Sequence, residues 1–245
     1  MNNSYSASSD FAYVLHSVPY KESSLIVELF CKQYGRLPVL AKGAKRPHSA
    51  LRAILVSFQP LSVQFSGRSE VKTLTHAEWL GGLMSPDGKA LFAAYYLNEL
   101  LMHGLTREEM YPELFDLYQY TLVGLSSGDD MNVCIRRFEV GFLKILGYGL
   151  DWEFDIQGRA IDTASSYVWV DRRGWCLSDN ISANNLIHNH VKQAVHGQWI
   201  IEIQEGGWSK AAASALRTVT RSILLDHIAP KGLMSRVWME QLLKI

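Results

Sequence analysis

Phosphate neutralisation is the first chemistry the residue types suggest. Between Lys32 and Lys72 lie eight cations, Lys32, Arg36, Lys42, Lys45, Arg46, Arg52, Arg68 and Lys72, opposed only by Glu70. Holding a polyanion takes several mobile cations along one groove. Arg36 and Lys42 share one face of a stretch that alternates at period two, and Lys42, Lys45, Arg46 and Arg52 surround the loop that follows. A solvated cationic face would show the same residues, so the spacing leaves both readings open. Nor do the aromatics decide: Phe11, Tyr13, Phe58 and Phe65 fit a hydrophobic core as well as a stacking platform.

A second basic set lies near the C-terminus. Lys210, Arg217 and Arg221 fall at i, i+7 and i+11, one stripe of a helix whose other side carries Ala212, Leu216, Val219 and Ile223. Lys231 and Arg236 lie just beyond, and Arg136-Arg137 sit on another predicted helix. Cations beside apolar side chains suit an acidic peptide with a hydrophobic end, or a terminal carboxylate. An ordinary amphipathic helix with a solvated basic edge has the same pattern.

Other chemistries find no support. Gly43-Ala44-Lys45-Arg46 lacks the spacing of a P-loop, and no G-x-S-x-G or H-E-x-x-H occurs. Gly147-Tyr148-Gly149 follows a predicted helix and reads as its C-terminal cap, not as a dinucleotide loop. His188, His190 and His196 have no nearby cysteine pair and do not match zinc-ligand spacing. Nothing nominates a nucleophile or a general base.

These residues need elements to position them. The 245 residues carry 24 basic and 24 acidic side chains, and 48% are hydrophobic, an ordinary globular composition that excludes a disordered or collagen-like chain. The zero net charge conceals asymmetry: +4 over residues 1–80, −6 over 81–135 and +2 thereafter. Three dispersed cysteines, Cys31, Cys134 and Cys176, give no disulfide framework and fit a reducing cytoplasm. Residues 1–10 read as a flexible tail without signal-peptide character, and no run of about 18 apolar residues predicts a membrane span.

Residues 11–80 read as β-structure. Strands are expected at Phe11 to Ser17, Ser24 to Cys31, Arg36 to Lys42, Leu61 to Phe65 and Glu70 to Thr75. Leu51 to Phe58 is more continuously apolar, and Gly67-Arg68 marks a tight turn. Five short strands suggest a small barrel, of OB or SH3-like type. After the break at Gly81-Gly82 and Ser85 to Gly88, the period becomes helical over Lys89 to Leu105, Tyr111 to Leu125 and the segment ending at Gly147. An irregular insertion near 152–178 contains a predicted hairpin, Tyr167 to Leu177. Ser209 caps a helix expected to run to His227, and a last helix starts near Leu233. The fold class is therefore α+β and multi-domain: a tail (1–10), an N-terminal barrel (11–80) and a mostly helical domain (81–245).

Several motifs then carry a resemblance. His16-Ser17-Val18-Pro19-Tyr20-Lys21-Glu22-Ser23-Ser24-Leu25, Tyr34-Gly35-Arg36-Leu37, Ala41-Lys42-Gly43-Ala44-Lys45-Arg46, Phe58-Gln59-Pro60-Leu61 and Gly67 to Leu74 resemble the bacterial RecO recombination mediator family. So do Tyr96 to Leu101, Glu113 to Asp116, Arg136-Arg137-Phe138-Glu139, Leu146 to Gly149 and Lys231-x-Leu233-x-Ser235-Arg236, spread in order along the chain. The resemblance implies an N-terminal OB-fold and a helical C-terminal domain. It further implies a non-catalytic, nucleoid-associated protein that binds single- and double-stranded DNA and anneals complementary strands. Its implied partners are the acidic C-terminal tail of single-stranded DNA-binding protein, RecR and, in many bacteria, RecF, with RecA loaded as the outcome. Carried onto this chain, Arg36, Lys42, Lys45, Arg46, Arg52, Arg68 and Lys72 become DNA-contact candidates, and Arg136, Arg137, Arg217 and Arg221 candidates for the tail. Many family members hold zinc through four cysteines, but residues 152–176 offer only Cys176. No structural zinc and no cofactor are expected, with Trp152, Phe154, Trp169 and Trp175 packing in its place. The alternative to a DNA-binding mediator is an adaptor whose barrel binds a peptide.

Overall fold

A computed structural model describes residues 8–82, 84–180, 193–235 and 237–238. Two compact units divide the chain, Met1–Ser127 with Leu233–Ile245, and Gly128–Gly232.

The first unit is built on β1 (Ser8–Tyr20), β2 (Ser24–Cys31), β3 (Gly35–Ala41), β4 (Leu61–Ser66) and β5 (Lys72–Trp79). These close into a barrel of order β1-β2-β3-β5-β4, in which β4 also pairs with β1. All pairings are antiparallel except β3 with β5. That five-stranded closure, with a helix between β3 and β4, is the OB arrangement and decides between the two barrel types left open above. Alternation sets the register: Leu37, Val39 and Ala41 are buried inside, while Arg36, Leu40 and Lys42 face out. β1 is longer than its sequence pattern suggests, because Ser8, Ser9 and Asp10 already pair with Phe65, Gln64 and Val63. Part of the expected N-terminal tail is thus strand, and residues 1–7 lie outside the described residues.

The apolar run Leu51 to Phe58 contains a short helix, α1 (Ala50–Ile54). Leu51, Ile54 and Leu55, at i, i+3 and i+4, pack on the barrel core. Two longer helices follow, α2 (Gly88–Gly104) and α3 (Pro112–Ser127). Tyr13 and Phe30 of the barrel meet Phe115 and Tyr118 of α3, with ring centroids 5.1–6.0 Å apart. Asn98 of α2 donates to the carbonyls of Leu15 (2.9 Å) and Val14 (3.4 Å), and accepts from the Tyr118 hydroxyl at 2.5 Å. Its neighbour Glu99 receives the backbone N–H groups of Met234 and Ser235 at 2.7 and 2.9 Å. The Asn98-Glu99 pair therefore ties α2 both to the barrel and to the C-terminal segment.

The second unit contains α4 (Met131–Ile145), β6 (Ser166–Val170), β7 (Gly174–Leu177), a 3-10 turn (Ser178–Asn180), β8 (Val195–His196), α5 (Gly197–Gln204), α6 (Lys210–Ala215) and α7 (Arg217–His227). The hairpin β6–β7 pairs Trp169 with Trp175, and β8 adds to its other edge. Ser209 caps α6 as expected, accepting from the Ala212 N–H at 3.1 Å. The single helix expected from Ser209 to His227 is instead broken at Leu216. There the Thr220 hydroxyl donates to the Leu216 carbonyl at 3.3 Å, a side-chain bond of the kind that bends helices.

In the irregular insertion, the nearly buried Asp155 carboxylate organises the turn. It accepts from the backbone N–H of Gln157 (2.8 Å) and Arg159 (3.0 Å) and from the Arg159 guanidinium at 2.6 and 2.9 Å. Burial acts to raise the Asp155 pKa, yet the bonds from Arg159 and the backbone hold it below the ordinary carboxylate value. Trp175 packs on Trp169 (5.2 Å) and Trp152 (6.4 Å) and donates its indole N–H to the Asp151 carbonyl at 2.7 Å. Phe154 is not part of this packing and stands half exposed. A four-cysteine zinc site does not fit these residues: the whole chain has three cysteines, and Cys176 is the sole one in the insertion.

Candidate nucleic-acid interface

The seven barrel candidates separate into two groups. Lys42, Lys45, Arg46 and Arg52 occupy the turn after β3 and the outer side of α1, and all four are exposed. Among the described residues, none of them forms an ion pair. The turn is ordered by its backbone. Lys45 N–H donates to the Ser23 carbonyl at 2.9 Å, Arg46 N–H to the Gly43 carbonyl at 3.0 Å, and Ser49 N–H to the Arg46 carbonyl at 3.1 Å. Gly43 adopts φ +71°, in the left-handed region that glycine enters without strain. Four cations are thus presented on a fixed backbone with their side chains left to solvent.

Arg36 and Lys72 are engaged inside the first unit. Arg36 donates through Nη1 to the Met102 carbonyl, and its Nε lies 3.8 Å from Glu28 Oε2. Glu28 is buried, and Arg107, from the loop between α2 and α3, bridges it to Glu70. Hydrogen bonding to Glu28 holds the Arg107 guanidinium above its ordinary pKa. Lys72 lies 2.8 Å from Glu108 and donates to the Ser69 carbonyl at 3.0 Å. Lys32, another cation of the basic run, pairs with Asp116 at 2.7 Å. Arg68 is exposed in the β4–β5 turn.

One cation escaped the sequence argument. Lys21 occupies the β1–β2 turn with φ +51°, and its Nζ lies 5.4 Å from the ring centroid of the half-exposed Tyr20. The Lys45–Ser23 bond places this turn beside the 42–46 turn. No linear pattern signals that neighbourhood, because it depends on hairpin closure across about 20 residues. Of the aromatics left undecided, Tyr13, Phe58 and Phe65 are buried and Phe11 is exposed.

The second set of candidates also separates. Arg136 is buried on α4, bonded to Glu139 and, through Nη1, to the Thr220 hydroxyl at 2.8 Å. Arg137 lies over the Trp208 ring at 5.8 Å. Arg217 and Arg221 stand exposed one turn apart on α7, outside every ion pair found among the described residues. Lys210, assigned to the same stripe, pairs with Asp130 at 3.0 Å. Arg236, His188 and His190 lie outside the described residues. No group of three His, Cys, Asp or Glu side chains among the described residues is placed to hold a metal ion, and no helix there is long and apolar enough to cross a membrane.

An OB barrel with a cationic rim, followed by helices, defines a class of nucleic-acid-binding proteins. Comparison with known proteins places the chain within that class. Residues 6–83 match the family model described as Recombination protein O N terminal, and residues 85–236 match Recombination protein O C terminal. DNA repair protein RecO of Ralstonia nicotianae is 39% identical over 228 residues, covering 92% of this chain and 81% of that protein. DNA repair protein RecO of Dechloromonas aromatica is 38% identical over 240 residues, and that of Azoarcus sp. 37% over 238, each covering 96% of both chains. The chain belongs to the RecO family of DNA repair proteins.

Proposed function

We propose that the protein is a non-catalytic recombination mediator whose barrel binds single- and double-stranded DNA through phosphates, without reading sequence. The observation that carries this reading is the set of four exposed cations, Lys42, Lys45, Arg46 and Arg52, held on an ordered turn and in no ion pair among the described residues. Lys21 extends the set across the neighbouring turn. Arg68, exposed on the β4–β5 turn, is a further phosphate contact of the barrel. Arg36 and Lys72 contribute by fixing the barrel wall that carries these turns.

Neutralising two polyanions on one cationic surface lowers their mutual repulsion and permits annealing of complementary strands. Exposed Arg217 and Arg221 receive the acidic C-terminal tail of single-stranded DNA-binding protein, with Arg137 of α4 as a further candidate contact and Arg136 setting the helix packing from within. Delivery to coated DNA, together with RecR and in some bacteria RecF, then loads RecA. The protein acts in the cytoplasm on the nucleoid.

The test is annealing of complementary strands coated with single-stranded DNA-binding protein, compared with oligonucleotide binding over a range of salt. Affinity that falls steeply with salt, with annealing lost alongside the rim cations, supports the reading. Salt-independent binding, or a barrel that takes peptides and ignores oligonucleotides, overturns it.

A further inference from the structure

The loop between α2 and α3, residues 105–111, lies across the start of β3 as a strap. Leu105 is buried at its beginning, whereas residues 106–110 are all exposed, Met110 by 64%. Its attachments to the barrel are polar. Arg107 binds Glu28 and Glu70, Glu108 Oε1 lies 2.8 Å from Lys72 Nζ, and the Glu108 N–H donates to the Arg36 carbonyl at 2.9 Å. Beside it is a cleft of about 430 Å³, lined by Tyr34, Phe65 and Lys72 of the barrel and by Glu108 and Met110 of the strap. A segment fastened by exposed ion pairs, with few buried apolar contacts, belongs to the low-stability end of a fold.

Two features beneath and within the strap favour its release. Glu28 Oε2 and Arg36 Nε are buried 3.8 Å apart, each without a hydrogen-bond partner among the described residues. While Arg107 occupies Glu28 they do not meet. Once Arg107 leaves, the Arg36 guanidinium can close on Glu28 and neutralise it. Glu108 itself has φ +59°, a left-handed conformation that strains any residue with a Cβ and is relieved when the strap lifts.

The strap also sets the charge of this face. It carries Arg107 against Glu108 and Glu109, so its departure makes the face more positive by one. Arg36 and Lys42 share the outward side of β3, which puts the strap about 20 Å along the strand from the rim cations.

We propose that the strap is an autoinhibitory contact, in which Glu108 holds Lys72 in place of a phosphate until a polyanion seated on the rim extends along β3 and displaces it. In the closed form Arg36 and Lys72 serve the barrel wall. In the open form Lys72 joins exposed Arg68 of the β4–β5 turn in binding phosphate. The identity of the polyanion rests on the barrel reading, whereas the fastening of the strap does not.

Hydrogen exchange at the Glu108 amide, measured on the full chain with and without oligothymidylate, tests the proposal. Saturating oligothymidylate should speed that exchange about tenfold while the barrel strands stay protected. Glu108→Asn, a replacement that suits the left-handed backbone, should raise affinity for oligothymidylate about threefold, and adding Lys72→Gln should cancel the gain. Unchanged or slower exchange at Glu108 in the bound protein overturns the strap. So does a Glu108→Asn protein with no gain in affinity, or a gain that survives Lys72→Gln. Two further outcomes separate this proposal from the barrel reading. If Lys45→Glu with Arg46→Glu leaves affinity unchanged while Glu108 exchange still accelerates, the strap stands and the rim assignment falls. If that variant loses binding but the parent shows no acceleration, the rim stands and the strap falls.

Discussion

The backbone N–H of Lys45 donates to the carbonyl of Ser23 at 2.9 Å and joins two turns of the barrel into one surface. The bond orders the backbone of the 42–46 turn and leaves its side chains in water. A surface built this way gains affinity for polyanions without ordering a loop when it binds.

Charge reversal at that turn is the first test. Lys45→Glu with Arg46→Glu should reduce DNA affinity at least tenfold and lower the slope of log affinity against log salt by about 2, with an unchanged circular dichroism spectrum. Equal affinity at moderate salt would remove the turn from the interface.

Arg107 should behave as a stability residue. Arg107→Ala leaves the buried Glu28 with only Arg36 nearby, and because Arg107 is partly exposed the expected loss is about 1–2 kcal/mol. Urea denaturation measures it. A large loss of DNA affinity without loss of stability would instead place Arg107 at the interface.

Gly35 should not tolerate a side chain. Its φ is +65°, and a Cβ there would lie 1.8 Å from the Glu109 carbonyl oxygen. Gly35→Ala should cost more than about 1 kcal/mol by displacing the loop that carries Arg107 and Glu108. Unchanged thermal unfolding would show that this loop moves aside at no cost.

The tail candidates predict contrasting phenotypes. Arg217→Glu with Arg221→Glu should weaken binding of an acidic C-terminal peptide while preserving the fold, as read by fluorescence anisotropy. Arg136→Ala, which removes a buried guanidinium from Glu139 and Thr220, should cost about 3–5 kcal/mol and lower soluble yield. A stable Arg136→Ala protein with selective loss of peptide binding would reverse these roles.

Acid should weaken the start of α4. Asp130 caps that helix, and its pKa is lowered by the hydrogen bond from Lys210 and by the Val133 and Asn132 amides. A carboxylate with a lowered folded pKa stabilises above its unfolded value, near pH 4, and that contribution is lost as pH falls through the folded value. Asp130→Ala should cost about 1 kcal/mol at neutral pH, with the difference from the parent shrinking below about pH 4. A constant difference across that range would show that the charge is not involved.

Much of the architecture was legible in the residues themselves. The alternation of Leu37, Val39 and Ala41 specified an inward face, and Tyr167 to Leu177 specified a hairpin, because both patterns are set by neighbours in the chain. Ser209 marked a helix start for the same local reason. The break at Leu216 was not legible, since it accompanies a Thr220 hydroxyl that also binds Arg136 from another helix.

The sequence by itself determined that cations are concentrated between Lys32 and Lys72 and that a barrel carries them. Only the tertiary structure decided which of them remain available. Lys32 is taken by Asp116, Lys72 by Glu108, and Arg36 by the Met102 carbonyl beside Glu28, while Lys42, Lys45, Arg46 and Arg52 are left to solvent. The physical reason is range. Strand periodicity is local, whereas an ion pair forms wherever folding brings opposite charges together, and here the acidic helical segment supplies carboxylates to one part of the barrel and not to the other.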